Sequence, residues 1–226
     1  FRICPWQNEL LEGLLANDLL GFHIQYHCNN FLDTVNRSLE SIVYSEYSNV
    51  VFKGKQTAVR AFPISIDFEE INNQAQQPEV NEEIKRLQTK FGLNGDEVIG
   101  AGIDRFDYTK GIPDRLRAIE CFLQNNPQYI GKFVFIQAGV GSRETIEAYK
   151  AVNREIDSLV EKINRDFGMG PHKPVICIRE NLPQLTLMAL RRMSQFCIVS
   201  SLHDGMNLVA KEYVASRYDN TGVLIL

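Results

Sequence analysis

From residue 97 onward the chain alternates short, continuously apolar runs with amphipathic segments, and this alternation constrains the fold more than any other feature. The runs EVIGAGI (97–103), KFVFIQA (132–138), PVICI (174–178), FCIVS (196–200) and GVLIL (222–226) do not alternate apolar with polar. A strand solvated on one face shows period two, whereas a continuous apolar strand is covered on both faces. Between the runs, segments 113–125, 144–167, 183–193 and 206–217 carry apolar residues at helical spacing, and a helix over 79–91 leads into the first run. Such repetition predicts βαβ units and a parallel sheet. With right-handed crossovers this is an α/β, doubly wound, Rossmann-like domain.

The first third reads differently. Leu10, Leu11, Leu14 and Leu15 predict a helix over 7–17, with Gly13 its weak point, and LLGFHI (19–24) predicts a short buried strand. Helical spacing resumes over 31–39, with Asn29-Asn30 as the expected cap. Two β-rich stretches, NVVFKG and TAVRAFPISI, follow across a Lys-Gly-Lys turn. Residues 71–83 (INNQAQQPEVNEE) are polar and lack apolar periodicity, as a linker would. Trp6 and the aromatics near the first helix are expected in a core.

Charge narrows the function. With 24 Lys+Arg against 28 Asp+Glu, the net charge is −4, which excludes a polybasic nucleic-acid surface. The longest apolar runs, such as Val223 to Leu226, fall far short of the roughly 20 residues of a membrane span, and no targeting segment is evident. Five scattered cysteines without a CxxC pair read as reduced thiols of a cytoplasmic protein. His23, His27 and Cys28 lie close together, but a strand-to-helix junction would not hold both histidines on one face, so no metal site is expected. Ser200-Ser201 lacks the elbow of a hydrolase nucleophile. The abrupt apolar ends suggest a piece of a longer polypeptide.

In doubly wound sheets, ligands bind beyond the carboxyl ends of the strands. After strand 97–103, Arg105 and Lys110 stand five residues apart, ahead of Pro113 at a helix start. A planar fork and a point charge suit a diphosphate, although pairing with Asp104 and Asp107 would explain the same charges. After strand 132–138, Gly139-Val140-Gly141-Ser142-Arg143 resembles an anion-binding nest. After strand 196–200, Asp204-Gly205-Met206-Asn207-Leu208-Val209 precedes or opens a helix, whose first turn offers free N–H groups. Asp204 can accept sugar hydroxyls, and Glu212, two turns on, can grip vicinal hydroxyls. Asp204 as a mere N-cap and Glu212 as a solvated helix residue are the alternatives. Convergence of these loops favours a sugar–diphosphate–nucleoside or similar polyanion.

At DRFDYTKGIP and SSLHDGMNLVAKEYV the chain resembles glycosyltransferase family 20, the retaining GT-B transferases of the trehalose-6-phosphate synthase type. LLANDLLGFH, FPISID, GVGSRETIEAY, INRDFG and GVLIL extend the match over nearly all of the chain. The resemblance implies transfer of glucose from UDP-glucose to glucose 6-phosphate with retention, without a metal. Arg105 and Lys110 would act as the catalytic cations at the donor diphosphate. Asp204, Gly205, Met206, Asn207, Leu208 and Val209 would hold the donor glucose and phosphates. Leu182 would meet the uracil through its backbone, Glu212 the ribose, and Arg143 the acceptor phosphate.

The resemblance divides the chain into the C-terminal part of an acceptor-side Rossmann-like domain (1–66), a linker or hinge (67–79), and a nucleotide-sugar-binding domain (80–226). The family's N-terminal Gly-rich loop and catalytic-loop histidine have no counterpart here, so this piece alone is expected to bind donor weakly without turnover. His203 and Gly141 depart from the family pattern. Other readings are a family-20 transferase using glycerol 3-phosphate (a glucosylglycerol-phosphate synthase) or a non-catalytic sugar-phosphate sensor. Neither nucleic acid nor membrane is an expected partner, and a homo-oligomer of the full-length protein is left open.

Overall fold

The computed structural model describes residues 3–141, 147–202 and 204–226. The chain divides into two units, Phe1–Ser65 and Ile66–Leu226.

The first unit comprises α1 (Gln7–Leu14), β1 (Leu19–Phe22), α2 (Gln25–Ser38), β2 (Ile42–Tyr44), β3 (Asn49–Phe52) and β4 (Lys55–Ala61). Its four-stranded sheet has the order β1-β4-β3-β2, with β1 parallel to β4 and the other pairs antiparallel. The Lys-Gly-Lys turn forms as expected: Lys53 (φ 49) and Gly54 (φ 79) are both left-handed, the geometry of a two-residue hairpin turn. Leu11, Leu15, Cys28, Phe31, Val35, Val50 and Val59 form the core. Three expectations need correction: first, β1 forms but is not buried, Leu19 being 50% exposed on this edge strand. Helix α2 starts at Gln25, so Asn29 lies inside it and accepts from Gln25 Nε2 (2.9 Å) instead of capping. Trp6 is 67% exposed, because it stands outside the turn that buries Leu11.

The second unit comprises α3 (Phe68–Ala75), α4 (Pro78–Phe91), β5 (Val98–Ile103), α5 (Ile112–Asn125), β6 (Phe133–Ala138), α6 (Glu147–Phe167), β7 (Val175–Ile178), α7 (Gln184–Met193), β8 (Phe196–Ile198), α8 (Leu208–Ser216) and β9 (Val223–Ile225). The five strands are parallel in the order β7-β6-β5-β8-β9. The chain therefore winds outward from β5 through β6 to β7, then crosses back to β8 and β9. Right-handed crossovers send the helices of the two halves to opposite faces. Accordingly, α5 and α6 pack with Phe133, Phe135 and Val175, while α3, α4 and α7 pack with Ile99, Ile103, Val134 and Ile136.

Strand β5 shows why its sequence reads VIGAGI. Ile99 and Ile103 fill one face; Gly100 and Gly102 point to the other. A Cβ on Gly100 would collide with the Phe196 ring, and one on Gly102 with the guanidinium of Arg115.

The polar stretch 71–83 expected as a linker belongs to the second unit and is divided between the start of α4 and the end of helix α3. Asp67 caps it by accepting from Glu70 N (2.9 Å), Asn72 Nδ2 donates to the Ala215 carbonyl (3.0 Å), and Ala75 is fully buried. Only Ile71 and Ala75 of its apolar residues pack on the core while Phe68 is exposed, so hydrophobic periodicity did not reveal it.

Candidate functional site

The loops after β5 and β8 leave the sheet from adjacent strands toward helices on opposite faces. This is the topological switch point, where open α/β sheets form their ligand crevice. Both cation-bearing and carboxylate-bearing segments found in the sequence converge there.

The loop after β5 is built from within. Phe106 N–H donates to the Val140 carbonyl (2.9 Å), and the Phe106 ring is buried beneath the Arg179 guanidinium, 4.2 Å from the centroid. Asp107 accepts from the Thr109 N–H (2.9 Å) and hydroxyl (3.0 Å), closing a single 3-10 turn over Tyr108–Lys110. Gly111 follows in the left-handed region (φ 59), where a Cβ would also collide with the Ser200 carbonyl.

Lys110 does not pair with Asp104 or Asp107. Its Nζ lies 2.7 Å from Asp204 Oδ2, with the two side chains 17% and 25% exposed. Burial raises the Asp204 pKa, but the hydrogen bond and charge of Lys110, with hydrogen bonds from Asn207 and Ser201, outweigh it and hold the carboxyl below its ordinary value. Arg105 is exposed and makes no ion pair among the described residues. Arg143 and His203 lie outside the described residues.

Helix α8 begins at Leu208, two residues later than expected. Its cap is Asn207, which accepts from Ala210 N–H (3.0 Å) and donates to Asp204 Oδ2 (3.1 Å). Asp204 is therefore not an N-cap; Gly205 and Met206 form the approach to the helix. The N–H groups of Leu208 and Val209 belong to its first turn, which carries the positive end of the helix dipole. Val209 packs its side chain on the core, as does Leu182 just ahead of α7.

Glu212 is not simply a solvated helix residue. It pairs with Arg191, whose side chain is 3% exposed and whose Nε and Nη1 have no protein partner. Burial lowers the Arg191 pKa, and Glu212 opposes that shift.

Beneath these loops lies a group that sequence reasoning missed. The wholly buried Arg115 donates from Nη2 to Asp104 (2.7 Å), from Nη1 to Gln137 (2.8 Å) and from Nε to Ser200 Oγ (3.0 Å). Desolvation raises the Asp104 pKa, with the Arg115 charge and hydrogen bond opposing it. A signal existed: Arg115 occupies the core-facing side of α5 alongside Ile112, Leu116 and Ile119.

Among the described residues no group of three or more His, Cys, Asp or Glu could hold a metal. His23 precedes α2 and Cys28 is buried in the core. The five cysteines are free, and no described helix is long and apolar enough to cross a membrane.

A doubly wound parallel sheet with a lysine–aspartate pair and a helix N-terminus at its switch point is a Rossmann-like α/β domain. The chain belongs to glycosyltransferase family 20, whose family model matches residues 1–226. It is 38% identical over its whole length to the UDP-forming alpha,alpha-trehalose-phosphate synthase of Candida albicans, covering 46% of that protein. An E. coli structure bound with UDP-2-fluoro glucose superposes with a TM-score of 0.90 at 32% identity, covering 99% of this chain and 49% of that one. The UDP-forming alpha,alpha-trehalose-phosphate synthase of Burkholderia xenovorans in complex with glucose-6-phosphate gives 0.89 at 28% identity, covering 97% and 49%. The chain thus spans about half the length of the curated relatives it matches.

Proposed function

We propose that the protein containing this chain is a cytoplasmic retaining glucosyltransferase that moves glucose from UDP-glucose to glucose 6-phosphate, forming trehalose 6-phosphate and UDP. The observation that carries this reading is the meeting of Lys110 and Asp204 at the switch point, within a chain of family 20.

In this mechanism the bond between the anomeric carbon and the β-phosphate oxygen breaks with its electron pair on that oxygen. Lys110 and Arg105, with the N–H groups of Leu208 and Val209, stabilise the charge that develops there. These groups meet the leaving-group charge without a metal. Donor binding replaces the Lys110–Asp204 contact: the ammonium turns to the diphosphate, and Asp204 accepts glucose hydroxyls. Gly205, Met206 and Asn207 give the phosphates a close approach to the main chain. Glu212 accepts the ribose hydroxyls, and the Leu182 backbone meets the uracil. The acceptor hydroxyl attacks from the face that UDP leaves and passes its proton to the departing phosphate oxygen. Arg143 holds the acceptor phosphate.

Full-length protein supplied with UDP-glucose and either glucose 6-phosphate or glycerol 3-phosphate, with products resolved by NMR, tests the reading. Trehalose 6-phosphate and stoichiometric UDP are expected. Product only from glycerol 3-phosphate, or no product, would replace it.

A further inference from the structure

The loop carrying Lys110 is tied to the loop carrying Asp204 at points beyond the ion pair itself. Leu202 N–H donates to the Thr109 carbonyl (2.8 Å). Ser200 Oγ lies 3.0 Å from the Lys110 carbonyl and 3.1 Å from that of Gly111. The same oxygen accepts from Arg115 Nε at 3.0 Å. A hydroxyl has one proton to give and lone pairs to receive with, so the direction of this chain is settled. Arg115 donates to Ser200, and Ser200 directs its one proton to the carbonyls of Lys110 and Gly111, the first of which belongs to the Lys110–Gly111 peptide.

The anchor of this relay is unusually firm. The guanidinium is fixed at Nη1 by Gln137 and at Nη2 by Asp104, and its side chain has no exposed surface. Gly102 is needed to admit it, since a Cβ there would collide with Nη1. Arg115 thereby joins the loop after β5 (through Asp104), strand β6 (through Gln137) and the loop after β8 (through Ser200). The far end of the relay is the peptide that follows the Cα of Lys110. Its orientation, with Gly111 in the left-handed region, sets where the lysine side chain leaves the turn.

We propose that Ser200 is a positioning residue for Lys110, transmitting the fixed Arg115 guanidinium to the Lys110–Gly111 peptide and so aiming the ammonium at the donor diphosphate. Ser200 itself touches no substrate in this scheme. The proposal rests on the donor-site reading above and adds a residue to it.

The test is a double-mutant cycle in the full-length protein, read as UDP affinity by calorimetry and as kcat and KM for both substrates. Ser200→Ala is expected to weaken UDP about tenfold, the loss of roughly one charge-coupled hydrogen bond. In a Lys110→Ala background the same change should cost less than about twofold, because a relay that acts through Lys110 has nothing left to position. Ser200→Thr keeps the hydroxyl and should stay within about threefold of wild type, and KM for the acceptor should not move. Equal losses in both backgrounds, or no loss at all, would overturn the relay. If Ser200→Ala does not fold, Ser200→Cys, a weak donor of similar size, is carried through the same cycle with the same criteria. Wild-type protein that binds no UDP would overturn the donor-site reading and the relay with it. UDP binding with additive losses would overturn the relay alone.

Discussion

The ammonium of Lys110 and the carboxylate of Asp204, 94 residues apart in sequence, lie 2.7 Å apart at the crevice between β5 and β8. Each is the other's counter-charge, so in the proposed donor site diphosphate binding would be an exchange of partners for the lysine. Lys110→Ala in the full-length protein is expected to lower kcat by about a hundredfold or more, as for other groups that stabilise a leaving oxyanion. Steady-state kinetics with saturating UDP-glucose check this. Unchanged turnover would remove Lys110 from the chemistry.

Glu212 serves a structural charge as well as the proposed ribose contact. Glu212→Gln takes the counter-charge from Arg191, which is buried with two further nitrogens unpartnered. Destabilisation of about 3 kcal/mol is expected, with weakened UDP binding. Adding Arg191→Leu should recover much of the stability and none of the affinity. Thermal denaturation and calorimetry on the two variants separate these effects; affinity returning with stability would show that Glu212 has no ligand role.

Glu83 supplies an acid-dependent term in stability. Its carboxylate accepts from Arg86 Nε and Nη2 (both 2.6 Å) and from the Thr186 hydroxyl (2.6 Å), linking α4 to α7. The Arg86 hydrogen bond is the main cause of a pKa lowered to about 2, with burial opposing it. A depressed carboxyl pKa stabilises the fold above the unfolded value and loses that contribution as pH falls through the folded one. Glu83→Gln should therefore cost about 2 kcal/mol at pH 7, and the gap to wild type should narrow below about pH 4.5. Urea midpoints measured from pH 7 downward test this; a gap closing near pH 6 would implicate another group.

Two glycines should respond in opposite ways to alanine. Gly13 in α1 has nothing within 4 Å of the position its Cβ would take, so Gly13→Ala should stabilise by roughly 0.5–1 kcal/mol. At Gly100 the Phe196 ring occupies that space. Gly100→Ala should destabilise by about 1–3 kcal/mol through overpacking. Differential scanning calorimetry distinguishes the two, and a Gly100→Ala variant as stable as wild type would contradict the packing described for β5.

The parallel sheet was legible because β5 has no polar position and β6 only Gln137, where a strand solvated on one face would alternate. The placement of Arg105, Lys110 and Asp204 in loops beyond β5 and β8 was legible from the strand pattern, as was that of Glu212 in the helix that follows. Strand order was not: nothing local in LLGFHI or FCIVS says which neighbour it will pair with. Nor did the residue types show that Lys110 would choose Asp204 over the nearer Asp107, since that choice depends on the switch point. Arg115 and Arg191 were overlooked because an arginine within an apolar helix face reads as a surface residue until its partners are known. The start of α8 was misplaced by two residues because Asp204 and Asn207 are equally good caps on paper.

Helix α3 carries a practical consequence for anyone dividing this protein. Composition would place a cut near residue 80, discarding 67–79 as spacer. That cut would expose the α8 surface that Asn72 hydrogen-bonds and would strip the Ala75 carbonyl from Arg192. A piece beginning at residue 66 keeps its own Asp67 cap and arrives with that surface already sealed. The boundary that matters for expressing the second unit on its own is therefore set by an amide and an alanine, not by the proline that opens α4.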